Sequence, residues 1–124
     1  MKRNTMSDPK EQAAQDKTPM QLLPPEFMEY TAMALEEGAK KYGPFNWREG
    51  EPIKLMTYLG AILRHTSCLL SGQWWDKESK LPHVAHIAAT CAILIDAWRW
   101  DQLDDNTAQC AVLKQSDITK HELG

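Results

Sequence analysis

The sequence predicts an all-α fold, a small bundle of three to four helices in which a helical hairpin carries the functional site. Three observations predict it. Large apolar residues recur at spacings of three and four, prolines and glycines punctuate the chain where helices start and stop, and strand alternation, internal repeats and low-complexity tracts are absent. The 124 residues suit one domain, and 43% hydrophobic with 25% charged residues is an ordinary globular composition. Nearly all the large apolar side chains lie between Leu22 and Leu103. So short a stretch builds a limited core, and a homo-oligomer is expected to complete it.

Residues 1–20 are polar and mixed in charge, lack the apolar segment of a signal peptide, and are expected to form a mobile arm. The catalytic domain is expected over 21–103. Its first helix is predicted from Pro25 to Tyr42: Pro24-Pro25-Glu26 is a start signal, Phe27, Tyr30, Ala34 and Gly38 share a face, and Gly43-Pro44 stops it. Residues 43–50 form a loop carrying Phe45 and Trp47.

The second helix is predicted from Pro52 to Leu70, closed by Gly72. It is apolar on more than one face, which calls for burial on most sides. A link over 71–80 holds Trp74, Trp75, Asp76 and Glu78 before a third helix from about Pro82 to Gln102. Residues 104–124 form a tail, with one short helix expected between 108 and 120.

A formal charge of −3 argues against a protein that coats nucleic acid. Three cysteines without a Cys-x-x-Cys pair indicate neither a disulfide framework nor a zinc ribbon, and fit a reducing cytoplasm. No apolar run approaches the ~20 residues of a membrane span.

The chemistry is concentrated in the hairpin. Three of the four histidines fall between positions 65 and 86, interleaved with acids: His65, then Asp76 and Glu78, then His83 and His86. His83 and His86 project from one face of the third helix near its amino terminus, whose partial positive charge favours the neutral, metal-binding imidazole. An antiparallel hairpin brings all five side chains to one end. Histidine with carboxylate suits Mn²⁺, Zn²⁺, Co²⁺ or Fe²⁺ better than Mg²⁺, and a triphosphate substrate would add oxygens and bring Mg²⁺ in beside Mn²⁺.

Glu36 and Glu37 each precede a lysine by four residues, the order of a helical ion pair, yet an acidic pair on one helix can also complete a metal cage. Glu37 is the candidate ligand of the two. Lys41, Arg48 and Arg64 are the candidates for anionic oxygens, Arg64 standing out because it interrupts the most apolar helix beside His65. Trp47, Trp74 and Trp75 offer either core packing or stacking surface for a base.

Leu22-Leu23-Pro24-Pro25-Glu26, the stretch from Gly38 to Arg48 (GAKKYGPFNWR), Arg64-His65 and Asp76-x-Glu78-x-x-Leu81-Pro82-His83-x-x-His86-x-Ala88 stand in the same order as in a known family. Over roughly Pro19 to Trp98 the chain resembles the phage dATP/dGTP diphosphohydrolase amino-terminal family, which is related in function to the all-α MazG-like enzymes. The resemblance implies metal-dependent hydrolysis of dGTP or dATP to the monophosphate and pyrophosphate, in the remodelling of a phage's nucleotide pool. MazG-like enzymes carry carboxylate motifs where this chain has His83 and His86.

On that reading His83, His86, Asp76, Glu78 and Glu37 bind the ion, and His65 or Glu78 takes the proton from water. Lys41 and Arg64 hold the leaving pyrophosphate, and Asn46, Trp47 and Arg48 recognise the rest of the nucleotide. Two other readings use the same residues: an interaction protein with a structural zinc, whose removal unfolds it, and a helical oligomer without metal.

Overall fold

The computed structural model describes residues 8–108. Expectations for the tail beyond 108, Cys110 among its residues, lie outside them. The order is α1 (Pro9–Ala14), α2 (Pro25–Tyr42), β1 (Ile53–Lys54), α3 (Leu55–Leu70), α4 (His83–Arg99) and β2 (Leu103–Asp104), with single 3₁₀ turns at Met20–Leu22 and Asn46–Arg48. The class is all-α, as predicted.

α1 is a short exposed helix whose Asp8 side chain caps the Lys10 N–H at 3.0 Å. α2 keeps its predicted bounds. Pro25 occupies the first turn, Lys40 and Lys41 lie in the last, where cations suit the dipole, and Gly43 leaves the helix at φ 89°.

The second helix begins later than expected. Ile53 and Lys54 leave the predicted helix to pair in parallel with Leu103 and Asp104, and Lys54 lies 3.7 Å from Asp104. The strand partners lie fifty residues apart in the chain (Ile53 and Leu103), so local periodicity carried no trace of them. α3 and α4 then end in the same way. Gln73 N–H reaches back to Cys68 C=O at 3.0 Å across Gly72 at φ 84°, and Gln102 N–H reaches Ala97 C=O at 2.7 Å across Asp101 at φ 56°. Both are Schellman closures, the second with aspartate where glycine is usual. That closure ends α4 at Arg99, before the expected Gln102.

α4 is the central helix, with α2 packed on one side and α3 on another. Ala34 of α2 meets Ala85 and Ala89 of α4, flanked by Leu35 and Leu81. Side chains this small let the two backbones approach closely. α3 departs from expectation: none of its residues is buried, and Met56, Leu63 and Leu70, seven residues apart on one stripe, are 52%, 67% and 85% exposed. One copy of the chain offers α3 only the flank of α4, too little surface to cover a helix that is apolar nearly all round.

Ala89→Leu forces a larger side chain between α2 and α4 and is expected to cost about 1–3 kcal/mol. A urea titration reads this as a lower midpoint at unchanged slope; an unmoved midpoint would show that the helices do not meet there.

Candidate functional site

The first turn of α4 begins where Pro82, extended at φ −61° and ψ 143°, delivers the chain into the helix. His83 N–H donates to Trp74 C=O at 2.8 Å, Asp76 N–H to Leu81 C=O at 2.8 Å, and Trp75 bridges Pro82 in antiparallel fashion. The link is thus a short backbone clasp folded over the start of α4. It holds Asp76 against the histidines.

Within the clasp Asp76 Oδ2 accepts from both Ser79 N–H (2.9 Å) and Ser79 O–H (2.7 Å). The hydroxyl has one proton, spent on Asp76, so at its 2.6 Å contact with His86 Nε2 and its 3.2 Å contact with Leu81 N–H it accepts. His86 is therefore the Nε2–H tautomer, with its Nδ1 lone pair available. Ser79 is saturated as a structural pivot rather than poised as a nucleophile.

His65 from α3 stacks on His86 with ring centroids 4.8 Å apart and planes 10° from parallel. Its Nδ1 lies 2.8 Å from Nδ1 of His83, which is only 4% exposed. Two ring nitrogens so close share one proton, one donating and the other accepting.

Burial, then the neighbouring His86 and His83, push the His65 pKa down. Burial also lowers His86, outweighing the opposing pull of Asp76. Burial pushes the Asp76 carboxyl up, but the Ser79 hydrogen bonds and the facing histidines overcome it and hold the group below the usual carboxylate range. The arrangement is neutral His65 and His86 beside an ionised Asp76, the protonation state in which both group types bind divalent metal.

The remaining candidates divide. Glu37 and Lys41 of α2 lie close enough for their charges to act on His86, Lys41 stands 4.0 Å from Glu78, and Glu37 pairs with Lys40 at 3.7 Å. Glu78 is exposed and points to Lys41. Arg64 is exposed and folds back over Gly60. The structure therefore gathers His65, His83, His86 and Asp76, with Glu37 and Lys41 at the edge. They are turned toward one another, and among the described residues no three His, Cys, Asp or Glu side chains already surround one point at ligand distance.

Trp47 and Arg48 lie elsewhere. Asp96 accepts from Trp47 Nε1 at 2.8 Å and from Arg48 Nε and Nη2 at 2.7 and 2.8 Å. The Arg48 guanidinium sits between the rings of Phe45 (4.3 Å) and Trp100 (4.7 Å). Asp96 is thirteen residues beyond His83, about 20 Å along the helix axis. The loop after α2, with Asn46, is clamped at the far end of α4 from the histidines.

Ser79 and Asp96 are the residues that sequence reasoning missed. Asp76-x-x-Ser79 is a recognisable turn pattern, whereas Asp96 showed only as a charge inside an apolar helix, the mark of a buried partner.

The family model described as dATP/dGTP diphosphohydrolase, N-terminal, matches residues 7–106, spanning both the histidine cluster and the Asp96 clamp. The chain belongs to this family. It is similar to a Salmonella phage PMBT28 protein named dATP/dGTP diphosphohydrolase, 37% identical over 75 residues, which cover 60% of this chain and 25% of that protein. The chain thus spans about a quarter of the length of the curated relative it matches. No solved structure matches.

In this member of the dATP/dGTP diphosphohydrolase amino-terminal family, the hydrogen bonds from Arg48, then Trp47, hold the Asp96 carboxyl below its ordinary pKa. Their stabilisation is complete above the unfolded-state value, about pH 4, and is lost as pH falls through the lower folded-state value. Asp96→Asn is expected to lower the thermal midpoint at pH 7 by roughly 5–10 °C. Circular dichroism melts should show the gap to wild type narrowing below pH 4; an undiminished gap there would count against the clamp.

Proposed function

We propose that this domain hydrolyses a purine deoxynucleoside triphosphate, dGTP or dATP, to the monophosphate and pyrophosphate with a divalent metal, in the host cytoplasm, as part of phage nucleotide-pool remodelling. The observation that carries the proposal is the cluster of His65, His83, His86 and Asp76 at the start of α4, in a chain of this family. The relative's name supports the substrate class.

The donor set fits a divalent ion by its chemistry: neutral imidazoles, one with a free Nδ1, and a carboxylate 3.7 Å from the His86 ring nitrogen. His83, His86 and Asp76 would hold it, with Glu37 as a further carboxylate and Glu78 within reach of the same rim. Mn²⁺ or Mg²⁺ suits a triphosphate substrate, with Zn²⁺ or Co²⁺ as alternatives. When bound, the ion polarises a phosphoryl oxygen and lowers the pKa of its water.

The chain's own groups supply the rest. His65, neutral at pH 7 because it is buried beside two other imidazoles, accepts a proton. Glu78 is the alternative base. Lys41, at the rim of the cluster, and Arg64, one residue before His65, are exposed cations that hold the leaving pyrophosphate. Trp47 and Arg48 are committed to Asp96, so their part is to fix the loop.

The domain acts as a homo-oligomer, which places the Met56–Leu63–Leu70 stripe of α3 against a second copy. A row of large apolar side chains at seven-residue intervals is a helix-packing seam.

Metal-stripped protein given Mn²⁺ and each of the four deoxynucleoside triphosphates is expected to release pyrophosphate from dGTP or dATP, and His65→Ala or His83→Ala to lose it by at least about 100-fold. Folded, metal-loaded protein without turnover refutes the proposal, and unfolding on metal removal without turnover assigns the cluster to a structural zinc.

For the assembly, Leu63→Glu is expected to reduce the wild-type particle to a monomer in light scattering. A wild type already monomeric refutes it.

A further inference from the structure

Beside the histidine cluster, on the other flank of α4, lies a second concavity of about 410 Å³ between the amino-terminal halves of α2 and α4. Phe27 and Tyr30 of α2 and Trp74 and Trp75 of the link wall it, Ala88 lies among them, and Glu26 is its acidic lining residue. The rings stay between 37% and 57% exposed. We infer that this groove is the seat of the nucleotide's purine base, an inference that rests on the nucleotide reading above.

Several observations favour a planar heterocycle. The volume falls in the range of small-molecule sites, about 300–1,000 Å³. Aromatic walls attract the faces of a base, and the two-ring purine covers more of them than a pyrimidine. Glu26 is an acceptor for ring and exocyclic N–H donors, which complements the amino-bearing edge of a purine.

The walls are also held in place. Trp74 C=O accepts from His83 N–H and Trp75 bridges Pro82, so both indoles ride on the clasp that positions Asp76. Along α2, Tyr30, Ala34, Glu37 and Lys41 recur at spacings of four, three and four and form one stripe. Its amino end lines the groove and its far end reaches the rim of the histidine cluster. Tyr30 and Glu37 are about 10 Å apart along the helix, a distance that a sugar and triphosphate chain spans.

The other aromatic concavity, about 320 Å³ beside Phe45, Trp47 and Asp96, is the weaker seat. Asp96 and Trp47 are hydrogen-bonded to each other there, Arg48 covers Phe45, and the whole lies at the opposite end of α4 from the histidines.

The test is equilibrium dialysis of the full chain, in chelator, against deoxyguanosine, deoxyadenosine and thymidine, which carry no phosphate and need no metal. Saturable binding of a purine nucleoside is expected, with thymidine at least tenfold weaker. Trp74→Leu and Trp75→Leu, both half-exposed positions, should weaken it about tenfold or more, Tyr30→Leu should do the same from the opposite wall, and Glu26→Gln should shift the ratio between the two purines. Purine binding without hydrolysis in the metal assay sinks the hydrolase reading and leaves the groove standing. Hydrolysis with no nucleoside binding, or with binding undiminished in all three aromatic variants, overturns the groove. So does loss of self-association in the tryptophan variants without nucleoside binding to wild type, which would make it a protein contact.

Discussion

Everything else in the structure depends on how closely α2 and α4 approach. The contact is alanine on alanine, Ala34 against Ala85 and Ala89, and it contributes little apolar area. Its value is geometric. With no large side chain between them, the backbones come near enough that α2 reaches both ends of α4: Glu37 and Lys41 influence His86 near its start, and the loop leaving α2 is caught by Asp96 near its end. Bulkier residues would hold both polar networks apart.

Those networks work in different ways. Asp96 is a closed account of hydrogen bonds: the two oxygens take three N–H donors from Trp47 and Arg48, and two rings cover the guanidinium. Such a group fixes shape and has nothing left for a ligand. The Asp76 network is open. Ser79 ties the carboxylate to the link and to His86, while His65 and His83 share a single proton and His86 keeps an unused nitrogen. Burial keeps His65 and His86 uncharged, and the Asp76 carboxylate beside them stays ionised. On the proposed reading, donor atoms in this state would exchange their mutual contacts for an ion at small cost in protonation.

The histidine cluster was readable from the sequence because its members are close along the chain or sit on helices whose ends are marked. Pro82 places His83 in a first turn, and Gly72 turns α3 back so that His65 faces it. The sequence reading assigned Trp47 and Arg48 to the nucleotide, and the structure pairs both with Asp96; their types suit either use equally well. Only their partner distinguishes the uses, and Asp96 lies 49 and 48 residues away. The late start of α3 has the same cause, since the partner of Ile53 is Leu103, fifty residues along the chain.

By itself, the sequence determined the helical class, the bounds of α2 and the grouping of three histidines with Asp76, because proline, glycine and helical periodicity act over a few residues. Tertiary structure alone decided which charges were spent: Asp96 on Arg48, and Glu78 turned to Lys41. It also decided that α3 keeps an apolar stripe uncovered and that four aromatic rings stay open beside the histidines. The physical reason is common to all of these. A side chain's chemistry is local, but whether it is satisfied depends on what the fold brings within about 3 Å of it.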